Sequence, residues 1–237
     1  MSAFALAGGS FVRVHLRARL TLVMLVLIPA FFVLIFASVL GQFAKALGGT
    51  MAGEATSAIS AGWAAAFLCG ALAFFQVSSS RGADRRLAAA GLGALRVALA
   101  RIAAAIVLGI VVSAVAFATL WARSGIAHPA HAAAAILAFA LVYVGVGALI
   151  GSLVAGPLEG SLLVVLVFAV DVFSGPSMTS SGGVLSYGPS RDAATLLIAA
   201  GTGHGSPGGD WLAVAASVLV ALAVALGAFW LAARSRA

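Results

Sequence analysis

Six apolar stretches, separated by polar or basic segments, dominate the pattern of the chain. A bilayer core about 30 Å thick is crossed by roughly 20 apolar residues in a helix, so uncharged stretches of this length predict transmembrane spans. Five are clear. The other, residues 158–175, is shorter and contains Asp171, but its run 163–168 is too apolar to lie in water. The predicted spans are residues 20–42, 57–77, 102–122, 129–154, 158–175 and 211–233.

Composition agrees with this pattern. Hydrophobic residues make up 63% of the 237 residues and charged residues 8%, and the mean hydropathy is +1.19. A soluble domain has about 45–50% apolar and about 25% charged residues. The sequence therefore predicts an all-α membrane protein with one transmembrane domain over residues 1–237.

The distribution of positive charge predicts the orientation of the bundle. Lys and Arg near span ends resist translocation, so the side that carries more of them is cytoplasmic. Six spans with both ends inside put ten of these residues in the cytoplasm and leave only Lys45, Arg123 and Arg191 outside. We therefore expect an N-in, C-in topology. The ten are Arg13, Arg17, Arg19, Arg81, Arg85, Arg86, Arg96, Arg101, Arg234 and Arg236.

Residues 1–19 mix arginines with apolar side chains before the first span. They fit a short basic amphipathic helix on the inner membrane surface, although Gly8 and Gly9 weaken it and a frayed tail fits equally well. The following apolar run is too long for the 7–15-residue core of a signal peptide. We expect it to remain as a helix.

Two further features concern packing. Trp63, Trp121, Trp211 and Trp230 fall near predicted span ends, where tryptophans anchor helices at the membrane interface. Gly147 and Gly151 form a G-x-x-x-G pattern, which lets helix backbones approach closely. Packing within the bundle is the favoured interpretation of that pattern, and a dimer seam is the alternative.

No catalytic or nucleotide-binding motif stands out. The chain contains neither an H-E-x-x-H metal motif nor a G-x-x-x-x-G-K-[ST] loop. His128 and His131 have metal-ligand spacing but no third ligand nearby, and the single cysteine, Cys69, cannot form an intramolecular disulfide. The net charge of +7 is not arranged as a basic stripe with aromatics, so no nucleic-acid partner is expected.

Two acidic residues lie in the apolar segments. A charge at the centre of a lipid-facing helix costs about 2.5–3.5 kcal/mol, so Asp171 should face protein or water. It is a candidate for a substrate path, but wetting from the outer loop would also explain it. Pro157 and Glu159 suit the first turn of the fifth span, where proline and acidic side chains favour a helix start.

The segment between the second and third spans is the most informative. It carries Arg81, Asp84, Arg85, Arg86 and Leu87, and Asp84 can cap a short helix that stops at Gly91. With residues 151–162 between spans four and five and residues 187–197 before span six, this layout resembles the permeases of ABC-2 type exporters. In that family a cytoplasmic coupling helix lies between spans two and three, and an outer re-entrant segment precedes the last span.

The resemblance implies how the chain would work. A separate ATPase subunit, present in two copies, would bind ATP and Mg²⁺, while this chain binds no cofactor and is not itself an enzyme. Two copies of the permease, or one copy with a related permease, would form the path for a hydrophobic or amphipathic substrate such as a drug or lipid. A bacterial inner (plasma) membrane is the expected location. The five residues from Arg81 to Leu87 would contact the ATPase, Pro157 and Glu159 would form the link between spans four and five, and Asp171, Phe173 and Tyr187 would line the pathway or outer gate.

Two other classes of function stay open. A secondary transporter or channel working alone would normally have more ionisable groups at mid-membrane and an internal repeat, and neither is visible. A membrane assembly protein that transports nothing is the other alternative. A neighbouring reading frame for a P-loop ATPase would favour the permease over both.

Overall fold

The computed structural model describes residues 19–46, 53–154, 156–174, 188–203 and 211–234, and in these ranges the regular structure is entirely helical. The N-terminal segment 1–18 and Tyr187 lie outside the described residues, so the predictions made for them are not addressed. The α-helices are α1 (Arg19–Phe31), α2 (Ala37–Ala46), α3 (Gly53–Ser78), α4 (Arg81–Leu87), α5 (Ala94–Ser124), α6 (Pro129–Leu153), α7 (Pro157–Ser174), α8 (Arg191–Thr202) and α9 (Trp211–Arg234).

Five helices, α3, α5, α6, α7 and α9, are long and apolar enough to cross a membrane. Each coincides with one predicted span. The ends of α6, α7 and α9 lie within one residue of the predicted ones, whereas α5 begins eight residues before predicted residue 102, at Ala94. A chain with several such helices is a multi-pass membrane protein by length and composition.

The first predicted span, residues 20–42, is helical but interrupted. A π-helical segment, Phe32–Phe36, joins α1 to α2, and Pro29 precedes it inside α1. Proline removes one backbone hydrogen bond and crowds the preceding turn. Arg123, at the end of α5, donates from one guanidinium nitrogen to the carbonyls of Val33, at 2.6 Å, and Leu34, at 2.5 Å. The arginine thus holds the π segment against α5.

The centre of the bundle is a close contact between α3 and α6. A Cβ on Gly147 would overlap the carbonyl of Gly70, and one on Gly151 would lie 2.9 Å from the Phe74 carbonyl oxygen. Side chains at these positions would force the helices apart. The G-x-x-x-G pattern therefore serves packing within the bundle, as the sequence favoured, and not a seam between copies.

Trp63 corrects one expectation from the sequence. Its side chain is 2% exposed and belongs to the hydrophobic core, so it is not an interfacial anchor. Trp121, by contrast, is 53% exposed. The difference arises because α3 is surrounded by other helices, whereas α5 has one open face. Hydropathy places both residues near a span end but does not reveal which helix is central.

Helix α8 packs into the bundle at the end opposite α4. Leu197 lies beside Gly62 of α3, and Gly201 lies against Ala58 of the same helix. The backbone N–H of His128, just before α6, donates to the carbonyl of Ala200 at 3.0 Å. The C-terminal turn of α8 is thereby fixed to the start of α6, and its N-terminal end lies deeper, at Ser190.

Candidate functional site

The predicted coupling segment is a short helix with a defined start and stop. Helix α4 runs from Arg81 to Leu87 after Ser80 in the N-cap position. Asp84 is therefore inside the helix and is not its cap, which corrects the sequence interpretation. The chain leaves helical geometry at Gly91, where φ is 102°. Glycine tolerates this conformation best. The α-helix itself ends at Leu87, four residues before the predicted stop, and Gly91 lies in the π-helical turn Ala88–Leu92 that follows it.

Asp84 forms a buried ion pair with Arg101 of α5. The Arg101 Nε atom donates to both carboxylate oxygens, at 3.1 and 3.2 Å, and Nη2 donates to Oδ1 at 2.8 Å. The side chains are 9% and 5% exposed for Arg101 and Asp84, respectively. Bidentate arginine–carboxylate contacts of this kind fix both the distance and the orientation of the two side chains. The pair ties α4 to the first turns of α5.

Arg81 connects α4 to a different helix. Its Nε donates to the Gly151 carbonyl at 3.0 Å, and Nη2 donates to the carbonyls of Gly151 and Val154. The last carbonyls of a helix lack partners within it, so an arginine there satisfies them and also favours the negative end of the helix dipole. Helix α4 is therefore attached to the C-terminal end of α6 as well as to α5.

The other three predicted contact residues point in two directions. Arg85 and Arg86 are exposed, and Arg86 Nε donates only weakly to its own helix, to the Gly82 carbonyl at 3.3 Å. Leu87 is half-buried and packs against the hydrophobic core. Of the five residues proposed to contact an ATPase, Arg85 and Arg86 are thus the most accessible, whereas Asp84 and Leu87 face the bundle.

A cavity of about 590 Å³ lies between α4 and the C-terminal turns of α9. Arg81, Asp84 and Arg85 line it on the α4 side, and Phe229 and Leu231 line it on the α9 side. Its volume falls within the roughly 300–1,000 Å³ typical of ligand pockets. One wall is charged and the other is apolar.

The link between α6 and α7 adjoins this region. Pro157 is the first residue of α7, and Glu159 lies in its first turn. The Glu159 carboxylate folds back over Gly156, since a Cβ there would lie 2.6 Å from Oε2. An acidic side chain in this place stabilises the N-terminal end of a helix. Glu159 therefore acts at the start of α7, and its side chain is exposed.

Asp171 is the centre of a second polar cluster, 14 residues or about 21 Å along α7 from Pro157. It is 2% exposed. The Tyr143 hydroxyl of α6 donates to Oδ2 at 2.8 Å, the Ser190 hydroxyl donates to the same oxygen at 2.5 Å, and the Ser190 backbone N–H donates to Oδ1 at 3.4 Å. The cluster joins α6, α7 and the residue before α8.

Backbone packing closes this second cluster. A Cβ on Gly188 would overlap the Asp171 carboxylate, so the chain entering α8 passes directly over it. The positive end of the α8 dipole also faces the carboxylate. Phe173, two residues further along α7, is 53% exposed and lies on another face of the helix. The two side chains therefore point to different faces of α7, and their shared role in a pathway or outer gate stays a prediction.

Sequence reasoning missed the partners that define both clusters. Arg101 counted only as one of ten cytoplasmic charges, and Tyr143 and Ser190 were not singled out. Because a buried carboxylate needs hydrogen-bond donors, the sequence could have indicated that Asp84 and Asp171 each have a partner. It could not have indicated which residue the partner is. His128 and His131 pack edge to face with ring centroids 6.0 Å apart. No group of three metal-ligating side chains forms within the described ranges.

Comparison with protein-family models, curated proteins and solved structures finds no match for this chain. Its family is accordingly not shown by similarity. The functional argument rests on the residues and their contacts.

Proposed function

We propose that this chain is the membrane-spanning permease subunit of an ATP-driven exporter of the ABC-2 type. ATP and Mg²⁺ would bind to a separate ATPase, two copies of which would act on two copies of the permease or on one copy and a related permease. The chain itself would provide the path for a hydrophobic or amphipathic substrate. The inner membrane of a bacterium, with α4 on the cytoplasmic side, is the proposed location.

The attachment of α4 to two long helices is the observation that carries this proposal. Arg101 holds α4 to the start of α5, and Arg81 holds it to the end of α6. A partner that pressed on α4 would therefore displace both helices rather than bend a loose loop. Such a rigid connection is what a coupling helix needs to convert ATPase closure into helix movement.

Arg85 and Arg86 supply the exposed face that a partner would contact. Both side chains are exposed, and arginine forms charge-assisted, two-pronged hydrogen bonds with carboxylates. An acidic groove on the ATPase is therefore the complementary surface. The buried ion pair would transmit the force, and the exposed arginines would receive it.

The Asp171 cluster suits the outer gate of the same permease. It ties α7 to α6 and to the beginning of α8. In the proposed orientation, α8 is the re-entrant element before the last span. Release of these hydrogen bonds would free α8 to move and would open the pathway outward.

The experiment measures coupling in a reconstituted complex. The full chain is purified with the candidate ATPase from a neighbouring reading frame and placed in nanodiscs. The double substitution Arg85→Glu with Arg86→Glu should abolish permease-dependent ATP hydrolysis, because the two glutamates would be repelled by the acidic groove of the ATPase. Membrane insertion should stay intact.

Arg96→Glu is the matched control. Arg96 is also exposed at this end of the bundle, but it lies on α5 and not on α4. It should retain most of the stimulated hydrolysis. Normal coupling in the Arg85/Arg86 double variant would rule out the proposed contact.

A further inference from the structure

We infer that the cavity between α4 and α9 binds an anionic phospholipid, with the phosphate near Arg85 and Arg81 and the acyl chain along α9. The cavity shares Arg85 with the proposed ATPase contact, but lipid binding there requires no ATPase. Lipid in this position would bridge the coupling helix and the last long helix. The chemistry recognised is a phosphate group attached to an apolar chain.

Charge on the α4 wall supports an anionic group. Arg81 and Arg85 line the cavity together with Asp84, and Asp84 is already bound to Arg101. The wall thus carries more positive than negative charge. Basic pockets between membrane helices are typical binding sites for anionic lipid headgroups.

The rim of the cavity supports a lipid over a soluble anion. Leu153 and Leu231 both line the cavity, and they are 65% and 60% exposed, respectively. Leucines exposed on long apolar helices are better suited to the hydrocarbon region of a bilayer than to water. The cavity therefore opens from its arginines toward lipid, and Phe229 and Ala228 continue the apolar wall.

The cavity also has a mechanical consequence. It separates α4 from the C-terminal turns of α9, and α9 contacts the rest of the bundle mainly through α6, for example where Ala221 packs on Gly145. A lipid that filled the gap would transmit movement of α4 to α9. An empty gap would leave α9 outside the connection made by Arg81 and Arg101.

Lipid binding is tested on the purified full chain in detergent, without any ATPase, so that its failure is distinct from failure of the proposed function. Native mass spectrometry counts bound lipid while phosphatidylglycerol, phosphatidylcholine or inorganic phosphate is titrated. One phosphatidylglycerol should bind in preference to phosphatidylcholine. Arg85→Gln should weaken that binding about fivefold, the effect of roughly 1 kcal/mol per basic residue at a lipid surface.

Two matched controls locate the site. Arg86→Gln removes an exposed charge from the same helix but does not line the cavity, so it should leave binding unchanged. Ala228→Phe fills the apolar wall and should block binding, whereas Ala223→Phe, on an exposed face of α9 outside the cavity, should not.

Three results would overturn the inference. Equal binding of phosphatidylcholine would show that the site does not select lipids by their negative charge. Equal losses in Arg85→Gln and Arg86→Gln would place the lipid on the surface of α4 rather than in the cavity. Competition by inorganic phosphate alone, with no effect of Ala228→Phe, would mark a small-anion site. Should Ala228→Phe fail to fold, the comparison of Arg85→Gln with Arg86→Gln still tests whether the lipid lies in the cavity.

Discussion

Asp84 and Asp171 are both almost fully buried carboxylates, yet the bundle holds them in different ways. Asp84 faces a guanidinium that balances its charge. Asp171 is surrounded, among the described residues, by neutral donors from Tyr143 and Ser190. Removing one partner of a buried ion pair strongly lowers the stability of the fold. Removing one donor from a cluster of hydrogen bonds lowers it less.

Under the proposed function, this difference suggests separate roles for the α4 end and the α8 end of the bundle. The Asp84–Arg101 pair is suited to transmit force, because separating its two charges is costly at every intermediate position. Asp171 is suited to a contact that opens, because water can replace a hydroxyl or amide donor at modest cost. In the proposed exporter, the connection at α4 would stay closed while the one near α8 opens.

The largest expected difference is that the α4 end and the opposite end of the bundle lie on different sides of the membrane. With Cys69 replaced by alanine, single cysteines at Ala83 and Ser124, both exposed, report the two ends. A membrane-impermeant maleimide applied to intact cells should label Ser124→Cys fully and should label Ala83→Cys only after permeabilisation. The positive-charge distribution is the physical reason.

Reversal of that labelling pattern would contradict both the predicted topology and the proposed contact with a cytoplasmic ATPase. Labelling of both positions in intact cells would instead show that the number of crossings between them is even. Native Cys69 is buried, so the unsubstituted protein provides a low background and checks that the reagent reads exposure.

The next largest effect is expected at the ion pair. Arg101→Ala leaves the Asp84 carboxylate buried without its guanidinium and should lower the free energy of unfolding by about 3–5 kcal/mol. The measurement is unfolding of the purified protein in mixed detergent micelles, with the native helix content followed by circular dichroism.

Two controls separate charge burial from loss of an arginine. Arg96→Ala removes an exposed arginine from the same helix and should change stability by no more than about 0.5 kcal/mol. Asp84→Leu combined with Arg101→Met replaces the pair with apolar side chains and should recover most of the stability but not the coupling. Equal stability of Arg101→Ala and Arg96→Ala would mean that the Asp84–Arg101 ion pair does not stabilise the packing of α4 on α5.

The long helices could be predicted from the sequence because lipid imposes a strong and simple requirement, an uninterrupted apolar run. Even α7 could be found despite Asp171. What hydropathy cannot give is rotation about each helix axis, which decides that Trp63 is buried and Phe173 is exposed. It also cannot pair distant residues, so Asp84 looked like a cap when its partner was Arg101, 17 residues away.

The first helical region illustrates the same limit. Residues 20–42 carry no charge, but Pro29 and the π segment divide the helix. The carbonyls of Val33 and Leu34 accept hydrogen bonds from Arg123. Sequence analysis placed Arg123 as an outer charge. Its contact depends on the packing of α5 against α1, which no local pattern encodes.

The smallest of these effects is expected at the Asp171 cluster. Tyr143→Phe removes the hydroxyl that donates to Oδ2 at 2.8 Å and keeps the ring, which packs against Phe168 with centroids 6.0 Å apart. We expect a loss of about 1–3 kcal/mol, the range for a buried polar group that loses one partner. It should be smaller than the effect of Arg101→Ala because Ser190 continues to donate to Asp171.

Ser217→Ala is the appropriate comparison for Tyr143→Phe. It also deletes one hydroxyl, but that residue is only half-buried. Its hydroxyl donates within α9, to the Ala213 carbonyl at 2.7 Å and to the Val214 carbonyl at 3.3 Å. Its effect should stay within about 0.5 kcal/mol. A Tyr143→Phe variant as stable as Ser217→Ala would show that the tyrosine does not hold α7 to α6. A loss as large as that of Arg101→Ala would remove the proposed distinction between a rigid end and a releasable one.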